Sequence, residues 1–127
     1  MSFVEKEYGK DHVEIGCISQ ALARVHLLEG NLTAAKELVD KSIIILKNHK
    51  HAYLYLSWET LADICLAKAL EAQKSGNAEQ FQSHREKAKE ALQAALEAVK
   101  SHFRENSPFI PKIEGKLQEL NRGDALI

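Results

Sequence analysis

A helical hairpin is predicted by one stretch near the start of the chain, Leu22-Ala23-Arg24-Val25-His26-Leu27-Leu28-Glu29-Gly30-Asn31-Leu32-Thr33-Ala34-Ala35-Lys36-Glu37-Leu38. Gly30-Asn31 interrupts a helical pattern that includes Leu22-Ala23 on its apolar face. Beyond the break, Leu32, Ala35, Leu38 and Val39 recur at the spacing of a second amphipathic helix. The small side chain of Ala35 lets the second helix approach the first closely. The rest of the chain repeats this helix–turn–helix unit.

The composition is that of a folded helical protein. The chain has 127 residues, of which 45% are hydrophobic and 28% charged, so it is long enough for one domain with a core and too apolar to be disordered. It contains only two prolines and six glycines, and strong helix formers dominate. We therefore predict an all-α fold in which residues 1–127 form a single domain.

Charge and hydropathy narrow the function classes. The formal net charge is -1, which disfavours nucleic acid as a partner. No apolar run approaches the ~18 residues of a membrane span, so no membrane insertion is expected. Met1–Glu7 lacks the apolar core and cleavage site of a signal peptide. Cys17 and Cys65 fall within predicted helices, which suits reduced, buried thiols and a cytoplasmic setting, with the nucleus left open.

Helix breaks and caps divide the chain into segments. Asp11 is a candidate cap, with Glu14 in the reciprocal position of a capping box, and Asn31 and Asn77 are candidate caps further on. Ser107-Pro108 marks a helix start, which leaves open whether the last helix begins at 108 or 111. The predicted helices are the end of a preceding helix at 1–8, and then 12–28, 32–48, 51–74, 78–103 and a last helix ending near 121.

The apolar stripes of these helices predict the core. The run Ile43-Ile44-Ile45-Leu46 is apolar on all sides, so we expect helix 32–48 to be covered on more than one face. Tyr53 and Tyr55 look exposed. Inward positions are expected at Ile15, Ile18, Leu22, Val25 and His26; at Leu38, Val39, Ser42, Ile43 and Leu46; at Phe81, Ala88, Ala91, Leu92, Ala95, Leu96 and Val99; and at Ile113, Leu117 and Leu120.

A second copy of the hairpin follows the first. Leu22-Ala23 and Leu61-Ala62 are 39 residues apart, whereas Ala35 and Ala88 in the second helices are 53 apart. The difference of 14 residues falls between about Lys68 and Gln82 and is close to four helical turns, which preserves the helical phase. The simplest explanation is a lengthened second hairpin with its tip at residues 75–77.

The spacing of Leu22-Ala23, Gly30, Ala35 and Ser42 resembles the tetratricopeptide repeat (TPR), as does Trp58-x-x-Leu61-Ala62 followed by Ala88 and Ala95. The segment Glu7-Tyr8-Gly9-Lys10-Asp11-His12 is similar to the linker of the kinesin light chain type of repeat. The resemblance implies antiparallel helical hairpins stacked as a TPR-like superhelix: repeat one at 12–48, repeat two at 51–103 and a capping helix at 108–122. An ordinary helical bundle remains the alternative.

In the TPR family the first helix of each repeat lines a concave face that binds peptides. The resemblance therefore implies a non-catalytic adaptor or scaffold that binds a peptide or helical segment of a partner protein. The matching positions in the three first helices are Gln20, Arg24 and Leu27; Glu59, Asp63 and Leu66; and Lys112, Lys116 and Glu119. Cys17 and Ala21 stand where some family members carry a carboxylate clamp, so no such clamp is predicted.

The alternative function is a structural protein that acts through homo-oligomerisation, with the Ile43–Leu46 run and the two tyrosines as a homodimer surface. No enzyme is predicted, because neither a phosphate-binding loop nor a nucleophile beside a base is present. His49 and His51 form a pair without further ligands at suitable spacing, so no metal and no cofactor are expected.

Overall fold

The computed structural model describes residues 12–121 and contains five helices and no strand within that range. The prediction of an all-α fold is confirmed for this part of the chain. The predicted helical segment at 1–8, Asp11 itself and residues 122–127 lie outside the described residues. The prediction that Asp11 caps the next helix was wrong, because the helix that begins at Val13 is capped by His12, whose ring accepts a hydrogen bond from the Glu14 N–H at 3.1 Å. The helices are α1 (Val13–Leu28), α2 (Leu32–Asn48), α3 (Leu54–Lys74), α4 (Ala78–His102) and α5 (Phe109–Asn121).

The two hairpin turns use the same chemistry. Gly30 and Gly76 adopt φ angles of 82° and 75°, a left-handed conformation that glycine reaches without steric cost. Asn31 then caps α2, its side chain accepting a hydrogen bond from the Ala34 N–H at 3.4 Å. Asn77 caps α4 in the same way, through the Gln80 N–H at 3.1 Å. Both predicted caps and the predicted tip at residues 75–77 are therefore confirmed.

Two helix starts differ from the predicted positions. The third helix begins at Leu54 rather than at His51, because the His51 ring accepts a hydrogen bond from the Tyr53 N–H at 3.0 Å and holds residues 51–53 in a turn. The last helix begins at Phe109, between the two predicted starts, where the Ser107 hydroxyl accepts from the Phe109 N–H at 3.3 Å.

The first hairpin is antiparallel. Ile15, near the start of α1, packs against Ile45 near the end of α2, whereas Ala23 and Ala35 meet near the turn. The approach is closest at Gly16, where an added Cβ would lie 3.0 Å from side-chain atoms of Ile45 and Leu46. Small residues at these positions bring the two helix backbones together.

A buried polar joint connects this hairpin to α3. The Ser42 hydroxyl lies 2.7 Å from the Ser57 hydroxyl and donates to the Gly16 carbonyl at 2.7 Å. Both serine side chains are fully buried, and these bonds satisfy them without a charge. The joint therefore links α1, α2 and α3 at one point.

The larger core lies between α3, α4 and α5. Its buried residues include the predicted Ala88, Ala91, Leu92, Ala95, Val99, Ile113, Leu117 and Leu120. Arg85, which the apolar pattern missed, is also buried and donates a hydrogen bond to the Leu120 carbonyl near the end of α5. A cation beside the carbonyl end of a helix is electrostatically favourable.

Several burial predictions were wrong. Tyr55 is 5% exposed, because it stacks on Phe109 at a centroid distance of 4.9 Å and meets the edge of Phe103 at 5.5 Å. Leu22 and Val25 are 36% and 50% exposed, since no described helix covers their side of α1. The expectation that α2 is covered on more than one face is confirmed, because Ile43 packs toward α3 and Ile45 packs against α1. Within the apolar run, Ile44 differs and is 61% exposed on the outer side of α2.

His26 was also predicted to lie in the core, but its side chain remains 33% exposed beside Glu29.

The lengths of the helices agree with the prediction of a lengthened second hairpin. The helices α3 and α4 have 21 and 25 residues, against 16 and 17 for α1 and α2. The second hairpin is thus the longer one.

Candidate functional site

Two polar side chains on α1 contact α3. Gln20 and Arg24 are four residues apart and therefore share a face of the helix. The Gln20 amide donates to the Thr60 hydroxyl at 3.1 Å, and the Arg24 guanidinium donates to the same hydroxyl at 3.0 Å. Thr60 is fully buried, so one hydroxyl oxygen between α1 and α3 accepts both donors.

Asp63 of α3 joins all three predicted first helices. Its Oδ2 lies 2.6 Å from the Arg24 guanidinium on α1, and its Oδ1 lies 3.7 Å from the Lys116 ammonium on α5. The Asp63 side chain is 25% exposed, so these pairs are partly screened by solvent. The arrangement places one carboxylate between two cations from different helices.

Glu59, one turn before Asp63, is in a different environment. Its side chain is only 4% exposed, and the Lys112 ammonium on α5 lies 3.8 Å from its Oε2. That distance exceeds the range of a hydrogen bond, so the contact is an ion pair without one. Lys112 is itself 60% exposed. Glu59 is therefore a buried carboxylate whose ion-pair partner Lys112 is solvent-exposed.

The charge of Glu59 also acts on Tyr55, the tyrosine that packs against Phe103 and Phe109. The pKa of Tyr55 is raised above its ordinary value, first by burial and then by the neighbouring Glu59 carboxylate and Tyr53. Burial raises the pKa of the Cys65 thiol as well. Cys17 has a raised pKa for the same reason, with a contribution from Glu14. Both thiols are therefore protonated at neutral pH.

The structure brings six of the nine predicted site residues together where α1, α3 and α5 meet, a region here called the α1/α3/α5 face: Gln20, Arg24, Glu59, Asp63, Lys112 and Lys116. The other three predicted site residues are not part of this face. Leu27 packs into the α1–α2–α3 cluster, and Leu66 packs against the α3–α4–α5 core. Glu119 is exposed and forms no ion pair with the described residues.

Thr60 belongs to the same network but was missed. The prediction selected positions that match the TPR groove, and Thr60 lies one turn before Asp63 on the side of α3 that faces α1. Its signal in the sequence was the spacing of 36 and 40 residues from Arg24 and Gln20, close to the 39-residue repeat.

No group of three or more potential ligand side chains converges within residues 12–121. None of the helices in that range is sufficiently long and apolar to cross a lipid bilayer.

Neither a family model nor a curated protein matches this chain. The resemblance to the TPR family therefore stays a prediction, and the function has to be argued from the α1/α3/α5 face itself.

Proposed function

We propose that the protein is a non-catalytic interaction module, an adaptor or scaffold, that binds a peptide or helical segment of a partner protein on the α1/α3/α5 face. The proposal includes the TPR-like stacking of the hairpins, with α1, α3 and α5 on the concave side, and a cytoplasmic setting. The contacts of Gln20, Arg24 and Lys116 with α3 support it, because they bring three alternate helices to a common surface.

The observation that carries the proposal is the state of Glu59. Burying a carboxylate removes its hydration, and that cost is normally offset by hydrogen bonds and close ion pairs. The ion-pair partner that residues 12–121 offer to Glu59 is Lys112, at 3.8 Å. A basic side chain of a partner, above all an arginine with its planar set of donors, would add charge-assisted hydrogen bonds to this carboxylate.

Lys112 then acts as a replaceable internal counter-ion. Its exposure and the length of its contact with Glu59 mean that little is lost when it moves into solvent. Asp63 is less available, because Arg24 already holds it at 2.6 Å. We therefore expect a partner segment with one arginine or lysine anchored at Glu59.

A peptide-display library selected on the full-length chain tests this function. The expected result is enrichment of peptides that contain a basic residue, with binding lost in Glu59→Gln. This variant keeps the shape of the side chain and removes its charge. Glu114→Gln is the matched control, because Glu114 is exposed on α5. Absence of any enriched peptide, or equal binding by Glu59→Gln, contradicts the proposal.

Self-association is the second candidate function. Ile44 and Tyr53 are 61% and 50% exposed, and exposed large apolar side chains favour protein contacts. The burial of Tyr55 removes one residue from the surface expected for this role. Sedimentation equilibrium distinguishes the two candidates: a homodimer that Ile44→Asp dissociates supports self-association, and a monomer at high concentration excludes it.

A further inference from the structure

One edge of α1 carries an apolar stripe that no described helix covers. Ile18, Leu22 and Val25 lie four and three residues apart and share one face of the helix. Leu22 and Val25 are 36% and 50% exposed, whereas Ile18 packs against the Ile15–Ile45 cluster. The stripe, here called the α1 edge, is therefore a continuation of the core that reaches solvent. It lies on a different side of α1 from Gln20 and Arg24.

The same positions in the second hairpin show what kind of element covers such an edge. Residues 39 positions after Leu22 and Val25 are Leu61 and Ile64. Ile64 is fully buried, and both residues pack against the apolar side of α2. That side of α2 consists of Ala35, Val39 and Ile43, spaced four residues apart. The packing of α3 on the apolar side of α2 is therefore the kind of helix contact that the corresponding residues of α1 lack.

Charge argues against a second copy of this chain as the occupant. Glu14 and Glu29 are exposed at the two ends of the α1 edge. In an antiparallel pair of α1 helices centred on the stripe, Glu14 of one copy faces Glu29 of the other, and like charges repel. The α2 helix of a second copy is not available either, because its apolar side is already buried against α3. A different helix with basic residues near its ends matches both the stripe and the charges.

We infer that the α1 edge docks an amphipathic helix of a partner protein. The docked helix presents small and β-branched residues four positions apart, as α2 does toward α3, and basic residues toward Glu14 and Glu29. This surface is separate from the α1/α3/α5 face, so the two interactions stand or fall independently.

A synthetic peptide with the sequence of α2 and its caps, residues 31–49, is the probe. Labelled with fluorescein, it is titrated with the full-length chain and followed by anisotropy. Val25→Asp is expected to weaken binding by about tenfold or more, since the contact loses a buried valine and gains a charge. Ile44→Asp is the matched control and leaves the affinity unchanged, because Ile44 lies on the outer side of α2. A peptide carrying Val39→Asp is expected not to bind. Circular dichroism checks that both protein variants fold.

Three results overturn the inference. The first is the absence of saturable binding of the peptide to the full-length chain. The second is equal binding by Val25→Asp and the unmodified chain. The third is a homodimer in sedimentation equilibrium that Val25→Asp dissociates, because it assigns the edge to a second copy. The peptide-display experiment with Glu59→Gln tests a different surface. Failure of the proposed function can therefore be distinguished from failure of this inference.

Discussion

Asp63 is the residue at which the predicted site is most tightly organised. Arg24 approaches it at 2.6 Å and also donates to Thr60, whereas Lys116 is 3.7 Å away. The close pair contributes a hydrogen bond as well as charge attraction, although partial exposure of both side chains weakens it. Asp63 therefore fixes α1 against α3 and leaves Lys116 comparatively free to respond to a partner.

A double-mutant cycle on Arg24 and Asp63 measures this link. Arg24→Ala is expected to lower the free energy of unfolding by about 1 kcal/mol, and the coupling with Asp63→Ala to be about 0.5 to 1 kcal/mol. Urea denaturation at low and high salt gives both values, and salt is expected to reduce the coupling. Lys47→Ala on the exposed side of α2 is the control. A coupling of zero at low salt contradicts the assigned role.

The sequence predicts where these side chains point better than how deeply they lie. Gln20, Arg24, Glu59 and Asp63 were chosen as groove positions from the resemblance to the TPR family, and the contacts between them follow from regular helix geometry. The burial of Glu59 depends on how α5 packs after the irregular segment 103–108. The conformation of that segment cannot be predicted from helix propensities or from the spacing of apolar residues. Tyr55 was misassigned for the same reason, because Phe109 on α5 covers it.

At the scale of the helices, the two hairpin turns are the most predictable features. Each combines a left-handed glycine with an asparagine cap, a local arrangement that needs no tertiary contact. The start of α3 was less predictable, because the His51 ring competes for the Tyr53 N–H and delays the helix. The exposure of Leu22 and Val25 could not be predicted from the apolar pattern. That pattern shows that a residue is suited to burial, but it does not show whether a neighbouring helix covers it.

Removal of either asparagine cap is expected to destabilise its hairpin. Asn77→Ala is expected to cost about 1 kcal/mol in the free energy of unfolding, because the Gln80 N–H loses its acceptor. Asn31→Ala is expected to cost less, since its contact with the Ala34 N–H is longer, at 3.4 Å. Urea denaturation measures both, with the exposed Asn106→Ala as control. Equal stability of Asn77→Ala and the unmodified chain contradicts the assigned cap.

For the whole molecule, buried neutral acids predict a loss of stability at alkaline pH. Burial raises the pKa of Cys65 and Tyr55, so the folded chain retains protons that the unfolded chain releases above its ordinary pKa values of about 8.5 for cysteine and about 10 for tyrosine. The stabilisation is complete below about pH 8.5 and is lost as the pH rises through the raised values.

The predicted loss of stability is checked by the midpoints of urea denaturation, recorded from neutral pH to about pH 11. The midpoint is expected to fall over the alkaline part of the range, and to fall less steeply in the double variant Cys65→Ala, Tyr55→Phe. Parallel pH profiles for the double variant and the unmodified chain contradict the expectation, because other titrating groups would then account for the whole slope.

The central claim for the whole molecule is that Glu59 anchors a basic side chain of a partner, with Lys112 as its replaceable internal counter-ion. The most direct test is calorimetry with a peptide selected on the full-length chain, titrated into the unmodified protein, Glu59→Gln and Lys112→Ala. Loss of a charge-assisted hydrogen bond in a desolvated site costs about 2 kcal/mol, so Glu59→Gln is predicted to bind about 30-fold more weakly. Lys112→Ala is predicted to bind at least as tightly as the unmodified protein. An unchanged affinity in Glu59→Gln, or a large loss in Lys112→Ala, would contradict the claim.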